Sequence, residues 1–292
     1  MLLGVHVSIA GHIYESVNRA AALGCNTMQI FSRDPQQWRK SKITAGDIEE
    51  FRARRSKYNI SPVFIHIPYL INLASPYNIL YQGSIRAYIE DMREAELLGV
   101  DYIVTHMGSH KESGEEKGIK RIIQAFNKIL DKTQGMKVGV LLENTSGAGS
   151  WLGYKFEHQK QIIAGIEDKS RVGVCLDTCH AYAAGYDLAS AEGYKKTIGE
   201  LDRLVGLERL KLVHINDTAD KLGSRRDRHA HIGKGNIKLA GFKRLVNDSR
   251  LKDTAFILET PKDSDNADRV NLDTVRKLKK QGVLTKVLKN VP

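Results

Sequence analysis

Short runs of apolar, β-branched-rich residues recur along the whole chain: Leu2 to Ser8, Thr27 to Ser32, Val63 to Pro68, Tyr102 to Gly108, Lys137 to Thr145, Val172 to His180, Leu210 to Asp217 and Ala255 to Thr260. Each has the length and composition of a buried strand. Between them lie charged stretches whose apolar residues return every three or four positions, such as Ile85 to Leu98 and Ile119 to Leu130, the spacing of an amphipathic helix. Eight such units of about 30 to 40 residues, with no Pro/Gly-rich linker between them, predict an α/β fold of the (β/α)8 TIM-barrel type. One domain spanning residues 1–292 is expected. The stretch from Asp217 to Asn236 fits least well, because loops of about 20 residues inside a compact domain tend to be functional or disordered.

Parallel barrels gather the C-terminal ends of their strands on one face, where barrel enzymes place their active sites. In this chain metal-ligand residue types fall at those ends: His66, His106, Glu143, Asp177 with His180, His214 and Glu259. The long loop adds Asp227 and His229. Nitrogen and oxygen donors without sulfur suit zinc, manganese or iron, and nine of them exceed what one ion takes, so two or three ions are expected. Closely spaced divalent ions are the usual device for hydrolysing a phosphodiester. Singly, each residue has an ordinary structural explanation. A lone histidine at a strand end is usually a hydrogen-bonded rim residue, Asp177 and Thr178 are good helix caps, and Asp227 and His229 sit in a loop rich in arginine. Six successive strands ending this way is the observation that favours a metal centre.

Charge sharpens the substrate class. The chain carries 45 Lys plus Arg against 34 Asp plus Glu, a formal net charge of +11, which attracts polyanions such as nucleic acid or an anionic membrane. Its three cysteines, Cys25, Cys175 and Cys179, form no Cys-x-x-Cys pair, which argues against a disulfide framework and a thiolate zinc finger and fits a reducing compartment. No basic leader precedes an apolar stretch, and no apolar run approaches the roughly 20 residues of a membrane helix. A soluble, cytoplasmic protein without a membrane partner is expected.

Four strings are distinctive: His66-x-x-Tyr69-Leu70-Ile71-Asn72-Leu73; Leu142-Glu143-Asn144-Thr145; Gly173 to Ala181 with Ala184-Gly185-Tyr186-Asp187; and Gly223-Ser224-x-x-Asp227-Arg228-His229-x-x-Ile232-Gly233-x-Gly235. With Gly4 to Ser8 and Glu259-Thr260 they run nearly the length of the chain, and together they resemble the endonuclease IV family of zinc-dependent apurinic/apyrimidinic endonucleases. The resemblance implies three zinc ions (Zn2+) per chain. One would be held by His66, His106 and Glu143, a second by Glu143, Asp177, His214 and Glu259, and a third by His180, Asp227 and His229, with Glu143 and Glu259 closest to the chemistry. It further implies hydrolysis of the phosphodiester 5′ to an abasic site in double-stranded DNA, as in base excision repair. The products would be a 3′-hydroxyl and a 5′-deoxyribose phosphate, formed by a monomer without a covalent enzyme intermediate.

Such enzymes flip the abasic nucleotide out of the duplex, and Tyr69 and Leu70 match the residues that wedge into the gap. Further expected DNA contacts are Arg33, Gln36, Asn72, Arg225, Arg226, Arg228 and Lys234. Two departures stand out. A basic residue is common in the loop around Gln36, where this chain has Asp34 to Trp38, and Ile67-Pro68 replaces a more polar pair; Arg33 stands near enough to substitute. Two other readings compete: a sugar isomerase or epimerase, which shares the barrel but uses fewer metal ligands, and an inert nucleic-acid-binding protein, which has no use for nine.

Overall fold

A computed structural model of the chain describes residues 1–34, 37–38 and 43–279. Seven strands come first in the sheet: β1 (Leu2–Val5), β2 (Met28–Phe31), β3 (Val63–His66), β4 (Tyr102–His106), β5 (Gly139–Glu143), β6 (Val172–Asp177) and β7 (Leu210–His214). A two-stranded hairpin follows, β8 (Asp217–Thr218) and β9 (His229–Ala230), and the eighth sheet strand is β10 (Ala255–Leu258). All pairings in the eight-stranded sheet are parallel, in the order β1-β10-β7-β6-β5-β4-β3-β2. The two ends meet where His6 bridges Gln29 and Val7 N–H donates to the Gln29 carbonyl at 2.8 Å, so the sheet closes into a TIM barrel.

Helices wrap the outside: α1 (Glu15–Ala22), α2 (Ala45–Lys57), α3 (Asn78–Leu98), α4 (Glu115–Lys132), α5 (Phe156–Gly165), α6 (Thr178–Ala184), α7 (Ala191–Val205), α8 (Lys238–Asn247) and α9 (Ala267–Leu278). In α4, Ile119, Ile122, Phe126, Ile129 and Leu130 recur every three or four residues and are buried, while Glu115 and Glu116 place negative charge at its N-terminus. Helix α3 begins at Asn78, a full two turns before the apolar periodicity becomes clear at Ile85, and stops at Gly99, whose φ of 71° suits a residue without Cβ. No helix among the described residues is long and apolar enough to cross a membrane.

Two apolar layers result. One lies between sheet and helices. The other fills the barrel: Phe64, Val104, Leu141, Cys175, Leu212, Ala255 and Ile257, drawn from six adjacent strands, form a cluster of their own. Side chains alternate across a strand, so the residue two positions further on faces the same side. Those residues are His66, His106, Glu143, Asp177, His214 and Glu259. The barrel core thus continues, at its C-terminal end, directly into a layer of ligand-type side chains.

Candidate metal centre

Glu143, wholly buried on β5, is the hub of this layer. One carboxylate oxygen lies 3.0 Å from His66 Nε2 and 3.3 Å from His106 Nε2; the other lies 2.9 Å from His214 Nδ1 and 3.4 Å from His180 Nδ1. Glu259 Oε2 stands 3.3 Å from the same His214 nitrogen. A third group forms at the rim, where His180 Nε2 is 3.1 Å from Asp227 Oδ2 and His229 Nε2 is 3.4 Å from Asp227 Oδ1. Among the described residues, donor atoms fall within 4.8 Å of one another in five sets, three of them without a cysteine: His66, His106 and Glu143; Glu143, Asp177, His214 and Glu259; His180, Asp227 and His229. Nine of nine expected side chains are brought together.

The surroundings aim these donors. Asp177 caps α6, its carboxylate accepting from His180 N–H at 2.7 Å, so the helix-cap role and the place in the cluster belong to the same residue. Asn144 pairs with the Asp177 backbone in both directions, and Asn216 Nδ2 donates to Asp177 Oδ2 at 2.7 Å. The long stretch after β7 is tied down as the β8–β9 hairpin. Asp217, wholly buried, accepts from the backbone N–H of Thr218, Gly233, Gly235 and Ile237. Gly235 approaches so closely that a Cβ there would lie 2.3 Å from the Thr218 carbonyl oxygen.

Donor chemistry fits a group of dications. Four histidines give one ring nitrogen to a neutral acceptor: His66 to the Ile67 carbonyl at 2.7 Å, His180 to Asn144 at 3.0 Å, His229 to Glu259 at 2.9 Å, and His214 to Gln29 Oε1 at 2.8 Å. This leaves each ring's other nitrogen facing the carboxylates, as in metal sites where a hydrogen bond behind the ring fixes the ligating nitrogen. Nε2 of His106 and of His229 are buried and make no hydrogen bond among the described residues, although carboxylate oxygens stand 3.3 and 3.4 Å away. Buried polar atoms left this way call for an ion or another partner. The spacings also match the edge of about 3.3 Å that a tetrahedron has when its bonds are about 2.0 Å.

Electrostatics within the chain agree. Burial opposes ionisation of Glu143, but the imidazoles of His214 and His106 hold its carboxyl well below the usual range. Glu259 is likewise lowered, burial being outweighed by His214 and by the neighbouring His6, and Asp227 is lowered to about 2, its burial outweighed by His180. Burial disfavours charge on His180, yet Asp177 and Asp227 raise it well above its ordinary value; for His214, Cys175, Glu259 and Glu143 do the same. Burial pushes the Cys175 thiol up to about 12.

At the rim, Tyr69 is 56% exposed and stands over the cluster, its ring 5.9 Å from His66 and 6.2 Å from His106, with Leu70 half-buried beside it. Arg225, Arg226, Arg228 and Lys234 are exposed. Arg225 lies over the Tyr154 ring, 4.7 Å from its centroid, and Arg226 and Arg228 stand 3.9 and 3.8 Å from Asp220. Two expected DNA contacts point elsewhere. Arg33 is buried, paired with Asp91 and donating to the Trp38 carbonyl, so its guanidinium is engaged inside the protein and does not replace a surface base. Asn72 is also buried, bonding Ser109 O, Ser109 N and Ala74 N, and it shapes the turn behind Tyr69. Gln36 lies outside the described residues. Sequence reasoning missed His6, Gln29, Asn144, Asn216 and Asp217; the readable signal was a polar side chain inside or just past an apolar strand.

A cavity of about 500 Å³ opens at the other end of the barrel, among Arg52, Asp101, Gly139 and Lys211, away from these donors. Catalysis in barrels is sited at the opposite face.

Comparison with known proteins agrees with the geometry. A family model for the xylose isomerase-like TIM barrel matches residues 17–281. "Probable endonuclease 4" of Chloroflexus aurantiacus is 44% identical over 94% of this chain and 97% of its own. The crystal structure of endonuclease IV from Thermus thermophilus superposes with a TM-score of 0.85 at 40% identity, covering 95% of this chain and 98% of that one. A D-tagatose 3-epimerase-like protein, 19% identical with a TM-score of 0.71 over 95% of this chain and 96% of its own, shares the fold alone. With identity of this order over nearly its whole length, the chain belongs to the endonuclease IV family of the xylose isomerase-like TIM barrels.

Proposed function

We propose that this protein is a DNA repair endonuclease that hydrolyses the backbone of double-stranded DNA 5′ to abasic sites in base excision repair, using three zinc ions. The observation that carries the proposal is the convergence of nine ligand-type side chains into three sets, two of which share Glu143. His66, His106 and Glu143 would hold one ion, Glu143, Asp177, His214 and Glu259 a second, and His180, Asp227 and His229 the third. Zinc bound there supplies Lewis-acid polarisation of a phosphodiester and neutralises charge that builds up on its oxygens.

The chain's own residues do the rest. Glu143 and Glu259 set the donor charge at the centre, and the bonds behind four histidines keep the cluster ordered before substrate arrives, which lowers the reorganisation needed during reaction. Tyr69 and Leu70 stand at the rim where a flipped, baseless nucleotide enters, with an aromatic face available to the opened stack. Exposed Arg226, Arg228 and Lys234, on the stretch that also bears Asp227 and His229, lie within reach of flanking phosphates, and net charge draws the duplex in. All nine donors come from one chain, which suits a monomer.

The test is cleavage of an end-labelled duplex containing one abasic site, against the same duplex intact. A single cut 5′ to the lesion, leaving a terminus that a DNA polymerase extends, supports the proposal. No cutting by zinc-loaded protein, or equal cutting of intact duplex, contradicts it.

A further inference from the structure

Inside the barrel, the layer beneath the ligand cluster is apolar in β3, β4, β5, β7 and β10 and carries a neutral thiol in β6. Strand β2 differs. Its residue at that level, in register with Phe64, is Gln29. The Gln29 side chain is wholly enclosed, and an amide in that position is strongly unfavourable unless its groups are bonded. All are. Oε1 lies 2.8 Å from His214 Nε2, and Nε2 donates to Glu259 Oε1 at 2.6 Å and lies 2.9 Å from His6 Nδ1.

The partners decide which end of the amide is which. Glu259 offers only acceptors when ionised, so the atom facing it is the NH2 group. Oε1 then faces His214, whose Nε2 must carry a proton. That leaves His214 Nδ1 as the nitrogen turned to Glu143 Oε1 and Glu259 Oε2, 2.9 and 3.3 Å away. One side chain therefore orients two members of the same ligand set. The other three oriented histidines, His66, His180 and His229, lean on backbone carbonyls, which no substitution removes directly.

We infer that Gln29 is a positioning residue for the second metal. It holds His214 in the tautomer that presents Nδ1, and it restrains Glu259 through one oxygen so that the other stays directed at the ion. The inference rests on the metal reading proposed above.

Zinc titrated into metal-free protein, in competition with a chromophoric chelator, tests it. Gln29→Met keeps the length but removes both bonds; Gln29→Asn keeps the amide but withdraws it by one methylene. Circular dichroism and melting of the metal-free proteins report the fold, and a folded Gln29→Asn protein decides the matter if Gln29→Met does not fold. Wild type should bind three zinc ions. Each variant should bind two as wild type does and the remaining one about 10- to 100-fold more weakly, the usual cost of losing such a support, with kcat on abasic duplex falling and KM little changed. Three sites of wild-type affinity in a folded variant overturn the inference, as does equal weakening of all three. A wild-type protein that binds no zinc overturns the metal reading itself, and the inference with it.

Discussion

His229 Nδ1 donates to the backbone carbonyl of Glu259 at 2.9 Å. The bond joins the β8–β9 hairpin to the residue that follows β10, so a donor of the rim set is aimed by the main chain of a donor of the central set. The rim set is thus mechanically coupled to the central set, which in turn shares Glu143 with the set of His66 and His106.

Because the main-chain carbonyl does this aiming, Glu259→Gln should leave His229 in place and change only the charge of one donor. The variant is expected to fold and bind abasic duplex near wild-type strength. Its kcat should fall by about 10²- to 10³-fold, the scale of removing one stabiliser of transition-state charge. Single-turnover cleavage beside filter binding checks this, and wild-type turnover contradicts the assigned role.

Asp217 ties the hairpin through four backbone N–H groups. Asp217→Ala strands those donors in a buried setting and should cost about 2 to 4 kcal/mol, partly relieved by entering water. The rim set should suffer first, with zinc falling towards two per chain while His66, His106 and Glu143 keep theirs. Denaturant melts and elemental analysis of the variant decide it; unchanged stability and zinc content would tell against the hairpin's dependence on Asp217.

Metal binding should be coupled to pH. In the chain alone, facing carboxylates hold His180 and His214 protonated well above their ordinary range, despite burial. Zinc must displace those protons, so its affinity rises with pH, by about tenfold per unit for each proton displaced. Zinc titrations at pH 6, 7 and 8, with calorimetry in buffers of different ionisation enthalpy, measure the proton release. Affinity independent of pH over that range contradicts the picture.

Tyr69 and Leu70 stand at the rim without belonging to any of the three donor sets. Tyr69→Ala with Leu70→Ala should leave zinc content unchanged and reduce cleavage of abasic duplex by about tenfold or more, since a wedge offsets a few kcal/mol of unstacking. Unchanged cleavage with zinc retained would make them rim packing.

Much of this was legible in the sequence because a barrel translates spacing into position. Once eight apolar runs were placed, His66, His106, Glu143, Asp177, His214 and Glu259 had to share one face, each being two residues beyond a barrel-core residue. Hidden from it were the parts that depend on tertiary contact. Arg33 reads as an exposed base near a loop, but Asp91 on α3, 58 residues away, draws it inside. Asn72 sits in a distinctive string, yet its amide serves the Ser109 turn, 37 residues on. The stretch after β7 looked open because its main bonds converge on one carboxylate, Asp217, a pattern without sequence periodicity. Gln29 was visible as a polar residue within an apolar run, but its partners, at positions 214 and 259, were not.

The central claim is that one chain holds three metal ions on nine side chains. Elemental analysis of protein purified without chelators tests it most directly. Close to three zinc ions per folded chain, falling to about two in His180→Ala or Asp227→Ala protein, is the predicted result; a single metal per chain, unchanged in those variants, would contradict it.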